Sequence, residues 1–474
     1  MFSQEIIIEA EPWEERVAVR QAGTLTEFLL ERPDERPRVG SIYKGKVATL
    51  LNSVGAAIVD IGEGDPAFLP LRDPGTGELE PVKRGEPLLV QVTKRPMAGK
   101  KAQVTQQVSL PGRHLVLMPK VPVVKISRRI EEEGERLRLE EIMGKIRPDN
   151  CGLVARTAVL GKDAGVLRSG LDCLMAEWEE IARRFESSPA PSLLREEVPL
   201  RVRALRDLCG PYVERIRISP RPRGIELLDF ARSRFPDVAG MIEVEEDGLF
   251  WRLGIEVELE QVFESRIYLK RGGSLVFDFT EALTVVDVNS GHPFEEGSVE
   301  EIALRTNMEA AQEIPRQLKL RGIGGIIVVD FIDMLNPEHQ KQMMGVLESA
   351  LKEDRVKTQV AMLSPFGVVE MTRKRVTETP YHELTEPCPS CAGRGRTLSP
   401  ATLGIFLARR IMRMMKEGGR PPFKVRVNPR LGRSLREDGR IVRAVLKDSI
   451  GEIAIEDDAS LSYEDFKVFS ASQS

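Results

Sequence analysis

The sequence is poor in several things that would narrow its chemistry. Only four histidines occur in 474 residues, at positions 114, 292, 339 and 382, and they are dispersed. No Ser-His-Asp grouping can be read from them, so the nucleophilic route that depends on one finds no support. There are five cysteines, and Cys151, Cys173 and Cys209 are scattered, as buried small apolar side chains are. No apolar run approaches ~18 residues, so no membrane span is expected. The opening stretch MFSQEIIIEAEPWEERVAV carries acids where an export signal would carry bases, and it reads as a strand and a turn. A cytoplasmic location follows as the expectation. No repeat at a fixed period and no low-complexity segment is visible. A large excess of one charge is also missing, since the formal net charge is −4. That counts against a uniformly basic nucleic-acid binder.

What is present is more local. Residues 201–223 carry seven arginines against two acids, residues 94–101 carry four cations and no acid, and residues 405–426 are basic apart from Glu417. Such blocks could hold phosphates or could be solvated surface. At roughly 100–200 residues per domain, the length suggests two to four domains. Between 39 and 110, five short alternating segments broken by glycines (VGSIYKGKVATLL, AAIVDIG, AFLPL, VKRGEPLLVQVTKRP, AQVTQQVSL) predict a small closed barrel of the OB type. Such barrels bind single strands by stacking bases on aromatics beside cations, and Tyr43, Lys44, Lys46 and Phe68 are the candidates. GLVARTAVLG reads as a strand ending in a turn, and LRSGLDCLMAEWEEIARRFESSP as an amphipathic helix. From 263 to 384 the strands SLVFDFT, ALTVVDVN, GGIIVVDFI and TQVAMLS alternate with helical segments, which predicts a sheet sandwiched by helices. The helix over 299–320 should kink at Pro315. The segment after Cys391 reads as a small α+β module with a helix in SPATLGIFLARRIMRMMKEGG and strands in FKVRVN, IVRAVLK and EIAIED.

Two constellations carry chemistry. The apolar strands LTVVDVNSG and IIVVDFIDM each end in an aspartate, Asp287 and Asp330, with a crossover helix between them. Strand ends are where α/β proteins keep their sites. Two carboxylates brought together there need a cation to offset their repulsion. Hard oxygen ligands, few in number, suit Mg²⁺ better than Zn²⁺. Asn289 and Ser290 offer neutral oxygens nearby, and Asp333 lies one step further out. Such a cation favours hydrolysis of a phosphodiester by lowering the pKa of water and offsetting charge on phosphorus. The second constellation is EPCPSCAGRGRT, where Cys388 and Cys391 have zinc-ligand spacing. A structural zinc wants four ligands and the chain offers one such pair. Either two chains each give Cys388 and Cys391 to one Zn²⁺, holding a homodimer, or His382 contributes within the chain. A redox dithiol would open a helix after a strand, whereas this pair sits in a Pro/Gly segment.

With DVNSG, GGIIVVDFIDM and CPSCAGRGR in hand, and IYKGKV, LVLMP, ISRRIE, ARTAVLGK and GGSLVFD in order before them, the chain resembles the ribonuclease E/G family over nearly its whole length. It looks like the short form, without a long disordered tail. The resemblance implies a multidomain α/β and α+β protein. An RNase H-like scaffold (1–36 and 199–262) would be interrupted by an OB-fold RNA-binding barrel (37–110) and a 5′-sensor domain (111–198). A DNase I-like catalytic domain (263–384), a zinc link (385–398) and a small C-terminal domain (399–474) would follow. It implies a magnesium-dependent endoribonuclease acting on single-stranded AU-rich RNA, in ribosomal RNA processing and messenger RNA decay. Asp287 and Asp330 match the family's magnesium-binding aspartates, Asn289 the asparagine of that motif, and Cys388 and Cys391 its inter-subunit zinc pair. Gly112, Val116, Arg156 and Thr157 match its 5′-monophosphate pocket. Where ribonuclease E usually has a barrel aromatic this chain has Ile58, and LVLMPKVPVVKISRR lacks the glycine-rich loop of some relatives. The shared zinc pair implies a homodimer, and the sequence leaves dimer versus tetramer open. The rival expectation is a non-catalytic RNA-binding or ribosome-assembly factor, which would have no use for both strand-end carboxylates.

Overall fold

The computed structural model describes residues 3–33, 37–73, 77–78, 82–96, 101–280, 282–291, 298–375, 381, 384–386, 388–391, 393, 395–437 and 453–470. The chain divides into two compact units, Met1–Tyr381 and His382–Ser474.

In the first unit an N-terminal meander, Gln4–Ala10, Glu15–Gln21 and Thr24–Glu31, is joined by two strands from far along the chain. Val213–Ser219 runs parallel to Gln4–Ala10, and Ile242–Val244 runs parallel beyond it. The run Ile6-Ile7-Ile8 shows why this sheet is covered on both sides. Ile6 and Ile8 pack with helices Leu200–Asp207 and Arg221–Arg234, while Ile7 packs with Phe250, Ile255 and Leu259. A continuous apolar run, rather than alternation, is what a doubly covered strand requires.

The arginines of 201–223 hold this scaffold together rather than facing a ligand. Arg203 pairs with Glu31 at 2.6 Å, Arg206 with Glu197 at 2.7 Å, Arg217 with Glu245 at 2.6 Å and Arg201 with Glu15. Arg215, Arg221 and Arg223 pair with Glu243, Glu246 and Glu226. The block is therefore largely an ion-pair lattice, with Arg215, Arg221 and Arg223 paired at the surface.

The expected barrel is present. Strands Ile42–Leu51, Ala56–Asp60, Ala67–Pro70, Gln103–Thr105 and Pro87–Lys94 pair in that order, and the last pairs back onto the first. Val47, Val59, Leu69, Val90 and Val104 fill it. Ser192–Arg195 adds a strand outside the closed ring, against Ile42–Lys44. A four-stranded sheet follows, in which Leu115–Met118 and Gly152–Ala155 pair at the centre, backed by helix Ala164–Ser187.

The sheet of 266–373 is built differently from the expectation. Its order is Arg266–Tyr268, Ser274–Phe279, Leu283–Asn289, Gly325–Asp330, Val368–Arg373 and Thr358–Val360. The two central strands are parallel and the others antiparallel. Helices Val299–Leu320 and Pro337–Lys352 pack on one face only, against Phe277, Val286, Val288, Ile327, Val329 and Met371. Among the described residues the other face is left open. Asp278, Ile326, Asp330, Glu370 and Thr372 are exposed there. Helix Val299–Leu320 starts in a capping box between Ser298 and Glu301 and runs unbroken through the buried Pro315.

The second unit has its own core. Strand Phe423–Val427 lies between Ile453–Asp457 and Phe466–Ser470, and helices Pro400–Lys416 and Pro429–Glu437 cover it through Leu403, Leu407, Ile411, Leu431 and Leu435. The IVRAVLK segment lies outside the described residues.

Candidate catalytic site

Asp287 and Asp330 are direct partners across the central parallel ladder. Both strands are buried at alternate positions, Val286 and Val288 on one and Ile327 and Val329 on the other. The aspartates therefore fall together on the open face, with Asp287 half-buried and Asp330 exposed. Adjacent strands stand about 4.8 Å apart, so the two carboxyl groups are neighbours. Like charges directly opposite on a sheet repel. Among the described residues neither has an ion-pair partner. Among the described residues, the one side-chain hydrogen bond to either carboxylate is from Asn289 Nδ2 to Asp287 Oδ2 at 2.8 Å. Asn289 shares the face, two residues on. The set is two uncompensated carboxylates beside a carboxamide, reachable by solvent. That donor chemistry fits a hard divalent cation that keeps several waters. Among the described residues no group of three or more His, Cys, Asp or Glu converges anywhere.

The turn after Asp330 is clamped from the helix below. Asn307, fully buried, donates to the Ile332 carbonyl at 2.7 Å and accepts from its N–H at 3.0 Å. Glu300 accepts from the backbone of Leu335 and Asn336 and meets His339 Nδ1 at 2.9 Å. Asn307 and Glu300 went unnoticed in the sequence, where His339 stands only as one of four dispersed histidines. Ser298 was the available signal, since as N-cap it fixes where the helix that carries Glu300 and Asn307 begins. Asn307→Ala leaves a buried N–H and carbonyl unpaired and should destabilise the fold by about 1–3 kcal/mol in urea unfolding, without touching Asp330 itself. Asp333 is exposed beside Gly367, and among the described residues it does not join the aspartate pair in a three-carboxylate group.

On the barrel the structure separates the four candidates. Phe68 is half-exposed, directly opposite Ile58 and next to Gln103 on the outer surface. Lys46 is exposed opposite Asp60 on the same surface. Tyr43 is not a stacking platform. It is 2% exposed inside the barrel, and its hydroxyl donates to Glu63 at 2.7 Å. Lys44 is committed elsewhere, its ammonium donating to the carbonyls of Phe185 and Ser188 and lying 4.7 Å from the Phe185 ring. It caps the end of helix Ala164–Ser187, where a cation is favoured.

The four-stranded sheet gathers the remaining candidates. Arg156 donates to the Gly112 carbonyl at 2.9 Å, and its backbone N–H bonds the His114 carbonyl. Thr157 follows at once, with its hydroxyl 3.4 Å from that of Ser127. Val116 lies half-buried opposite Val154, on the side that carries Arg156. Gly112 is needed for the close approach, because a Cβ there would stand 3.1 Å from the Leu115 carbonyl and 3.2 Å from Leu174. Arg156 also pairs with Asp207 at 2.6 Å. Burial pushes the Asp207 carboxyl up, but Arg206 and Arg156 outweigh it and hold the group below its ordinary value. Asp207, absent from the expected site, therefore orients Arg156.

In the second unit Cys388 is exposed and Cys391 half-buried. Backbone N–H groups of Cys391 and Ser390 point at the Cys388 sulfur and hold its thiol below the ordinary range. His382 and His292 lie outside the described residues.

Comparison with known proteins agrees with the motifs. The sequence profile of the ribonuclease E/G family matches residues 109–376. The chain is 36% identical to ribonuclease G of Escherichia coli (strain K12) over 92% of its own length and 93% of that protein. It is 34% identical to ribonuclease G of Haemophilus influenzae over 90% of this chain and 91% of that one. Ribonuclease E of Escherichia coli (strain K12) is 37% identical over 86% of this chain but only 40% of its own length. A match of this breadth, with the paired strand-end aspartates inside the matched span, means that the chain belongs to the ribonuclease E/G family.

Proposed function

We propose that the protein is a magnesium-dependent endoribonuclease that hydrolyses single-stranded, AU-rich RNA and prefers strands with a 5′-monophosphate. The observation that carries this is the direct pairing of Asp287 with Asp330 on an open sheet face. The relatives' names supply the substrate class. Asp287 and Asp330 would hold the cation, and the Asn289 amide holds Asp287 Oδ2 from two residues further along the strand. Bound there, magnesium would offset phosphate charge and acidify water. Phe68 offers a face on which a base can stack, with Lys46 beside the backbone. Water adds to phosphorus in line and the 3′ oxygen leaves, taking a proton, so the products carry 5′-phosphate and 3′-hydroxyl ends. Poorly stacked strands cost less to bend into such a site. Arg156 and Thr157 would supply donors to a terminal phosphate dianion. The proposed substrates are ribosomal RNA precursors, for processing, and messenger RNA, for decay.

The domain divisions belong to the same proposal. The five-stranded sheet, with three antiparallel strands followed by two parallel ones, supports an RNase H-like scaffold. The one-sided sheet of 266–373 is the proposed DNase I-like catalytic domain, and the four-stranded sheet the 5′ sensor. Cys388 and Cys391 would share one Zn²⁺ with the same pair of a second chain. Stripping zinc should therefore halve the mass seen by light scattering, while leaving the far-UV circular dichroism of each chain in place. Among the described residues no helix is long and apolar enough to cross a membrane, and the cytoplasm is the proposed compartment.

Labelled single-stranded RNA incubated with Mg²⁺, and then with EDTA, tests the activity. Cleavage that stops on chelation, leaving 5′-phosphate ends, is expected. Binding without cleavage in Mg²⁺ would instead point to a non-catalytic RNA-binding factor.

A further inference from the structure

The open face of the catalytic sheet continues well past the carboxylate pair. Ile326 lies on that face four residues before Asp330, about 13 Å away at the strand's rise. There the surface sinks into a cleft of about 410 Å³ whose lining includes Ile326, Lys357, Gln359, Thr372, Lys374 and Arg375. Three of these are cations, and among the described residues none of the three has an ion-pair partner. Arg373 reaches the same cleft but is not a fourth free charge. It is buried against Asp354 at 2.7 Å and donates to the Ile323 carbonyl.

The positions of the three cations are not those of a casual surface cluster. Thr358 pairs with Arg373, and one step further the Lys374 N–H donates to the Lys357 carbonyl at 3.0 Å. Two lysines are thus opposite each other at the ladder's end, an arrangement that costs stability unless an anion lies between them. Arg375 is placed by the neighbouring strand. Gly325 has φ +103°, and a Cβ there would stand 2.9 Å from Arg375 Nε and 3.1 Å from one of its terminal nitrogens. The glycine lets the guanidinium lie against the strand that leads to Asp330.

We infer that this cleft is a backbone-phosphate subsite, in which Lys357, Lys374 and Arg375 grip the RNA strand a few nucleotides from the scissile bond. The inference rests on the reading of Asp287 and Asp330 as the cutting centre. Cations beside the Thr372 hydroxyl and the Gln359 amide, with no aromatic among these residues, suit phosphate and sugar rather than base edges. The strand would then run along the open face from the carboxylate pair toward the cleft, with its register set independently of sequence.

The test compares the wild-type chain with a Lys357→Ala/Lys374→Ala variant. The substrate is one oligoribonucleotide with a single cleavage site, studied also as a set in which one linkage at a time is a neutral methylphosphonate. The variant's loss should fall on KM, by roughly tenfold or more, the size of a charge-assisted contact. In EDTA, the slope of log Kd against log salt should fall by about 1.4, or 0.7 for each phosphate released. One methylphosphonate a few nucleotides from the cut should raise KM for the wild type and have no further effect in the variant. Its melting temperature should be equal or higher, because the lysine repulsion is gone. An unchanged KM and salt slope, or the same methylphosphonate penalty in both proteins, would overturn the subsite. A wild type that fails to cleave in Mg²⁺ would overturn the cutting centre instead, and the salt slopes in EDTA would still judge the cleft.

Discussion

Asp287→Asn and Asp330→Asn should each reduce RNA cleavage in Mg²⁺ by about three orders of magnitude or more while RNA binding persists. On the proposed reading, each substitution would remove one of two charged ligands from a cation that offsets charge in the transition state. About 4 kcal/mol of barrier is the scale of such a loss, and each 1.36 kcal/mol is tenfold in rate. The fold should survive. Both side chains sit on the open face, asparagine keeps their shape, and one of two facing negative charges is gone. Asp278 supplies the control. It is exposed on the same face, opposite Val285 in the next row, and Asp278→Asn should have a far smaller effect. Single-turnover cleavage of one labelled oligonucleotide, with binding followed in EDTA, reads both quantities. Full activity of either aspartate variant in Mg²⁺ would remove the proposed site.

Arg156→Gln should abolish most of the advantage of a 5′-monophosphate over a 5′-hydroxyl. A charge-assisted contact to a phosphate dianion is worth about 1.5–3 kcal/mol, or roughly 10- to 100-fold in the ratio of kcat/KM for the two substrates. The 5′-hydroxyl substrate is the internal control, because it offers nothing for Arg156 to hold. Asp207 makes the prediction specific to this fold. It holds Arg156 at 2.6 Å in the free protein, so the guanidinium is aimed beside Gly112 before any phosphate arrives. A uniform loss on both substrates would mean that Arg156 only supports the sheet through Asp207 and Gly112.

The strand-end aspartates were legible because LTVVD and IIVVD are apolar runs that stop at a charge, with a well-capped helix between them. What the apolar runs concealed was that one face is open. Val285 and Val328 are only half-buried, yet in the sequence they cannot be told from Val286 and Val329. The same blindness hid strand Val368–Arg373. Its residues alternate buried and exposed as one-sided covering demands, and Glu370, Thr372 and Arg373 break the apolar signal. Tyr43 and Lys44 show a second limit. A one-residue change of phase swaps the inside and outside of a barrel, and nothing local to YKGK says which side Tyr43 takes. The arginines of 201–223 show a third. Glu15 and Glu31, which neutralise Arg201 and Arg203, lie at the other end of the scaffold's sequence, so a lattice looked like a basic patch.

Manganese titration followed by electron paramagnetic resonance addresses the aspartate pair most directly, since Mn²⁺ takes the same oxygen ligands as Mg²⁺. The wild-type chain and Asp278→Asn should each take up one tightly held Mn²⁺ per chain that Mg²⁺ displaces, and Asp287→Asn and Asp330→Asn should lose it. Equal Mn²⁺ uptake by all four proteins would mean that the two carboxylates do not share a cation.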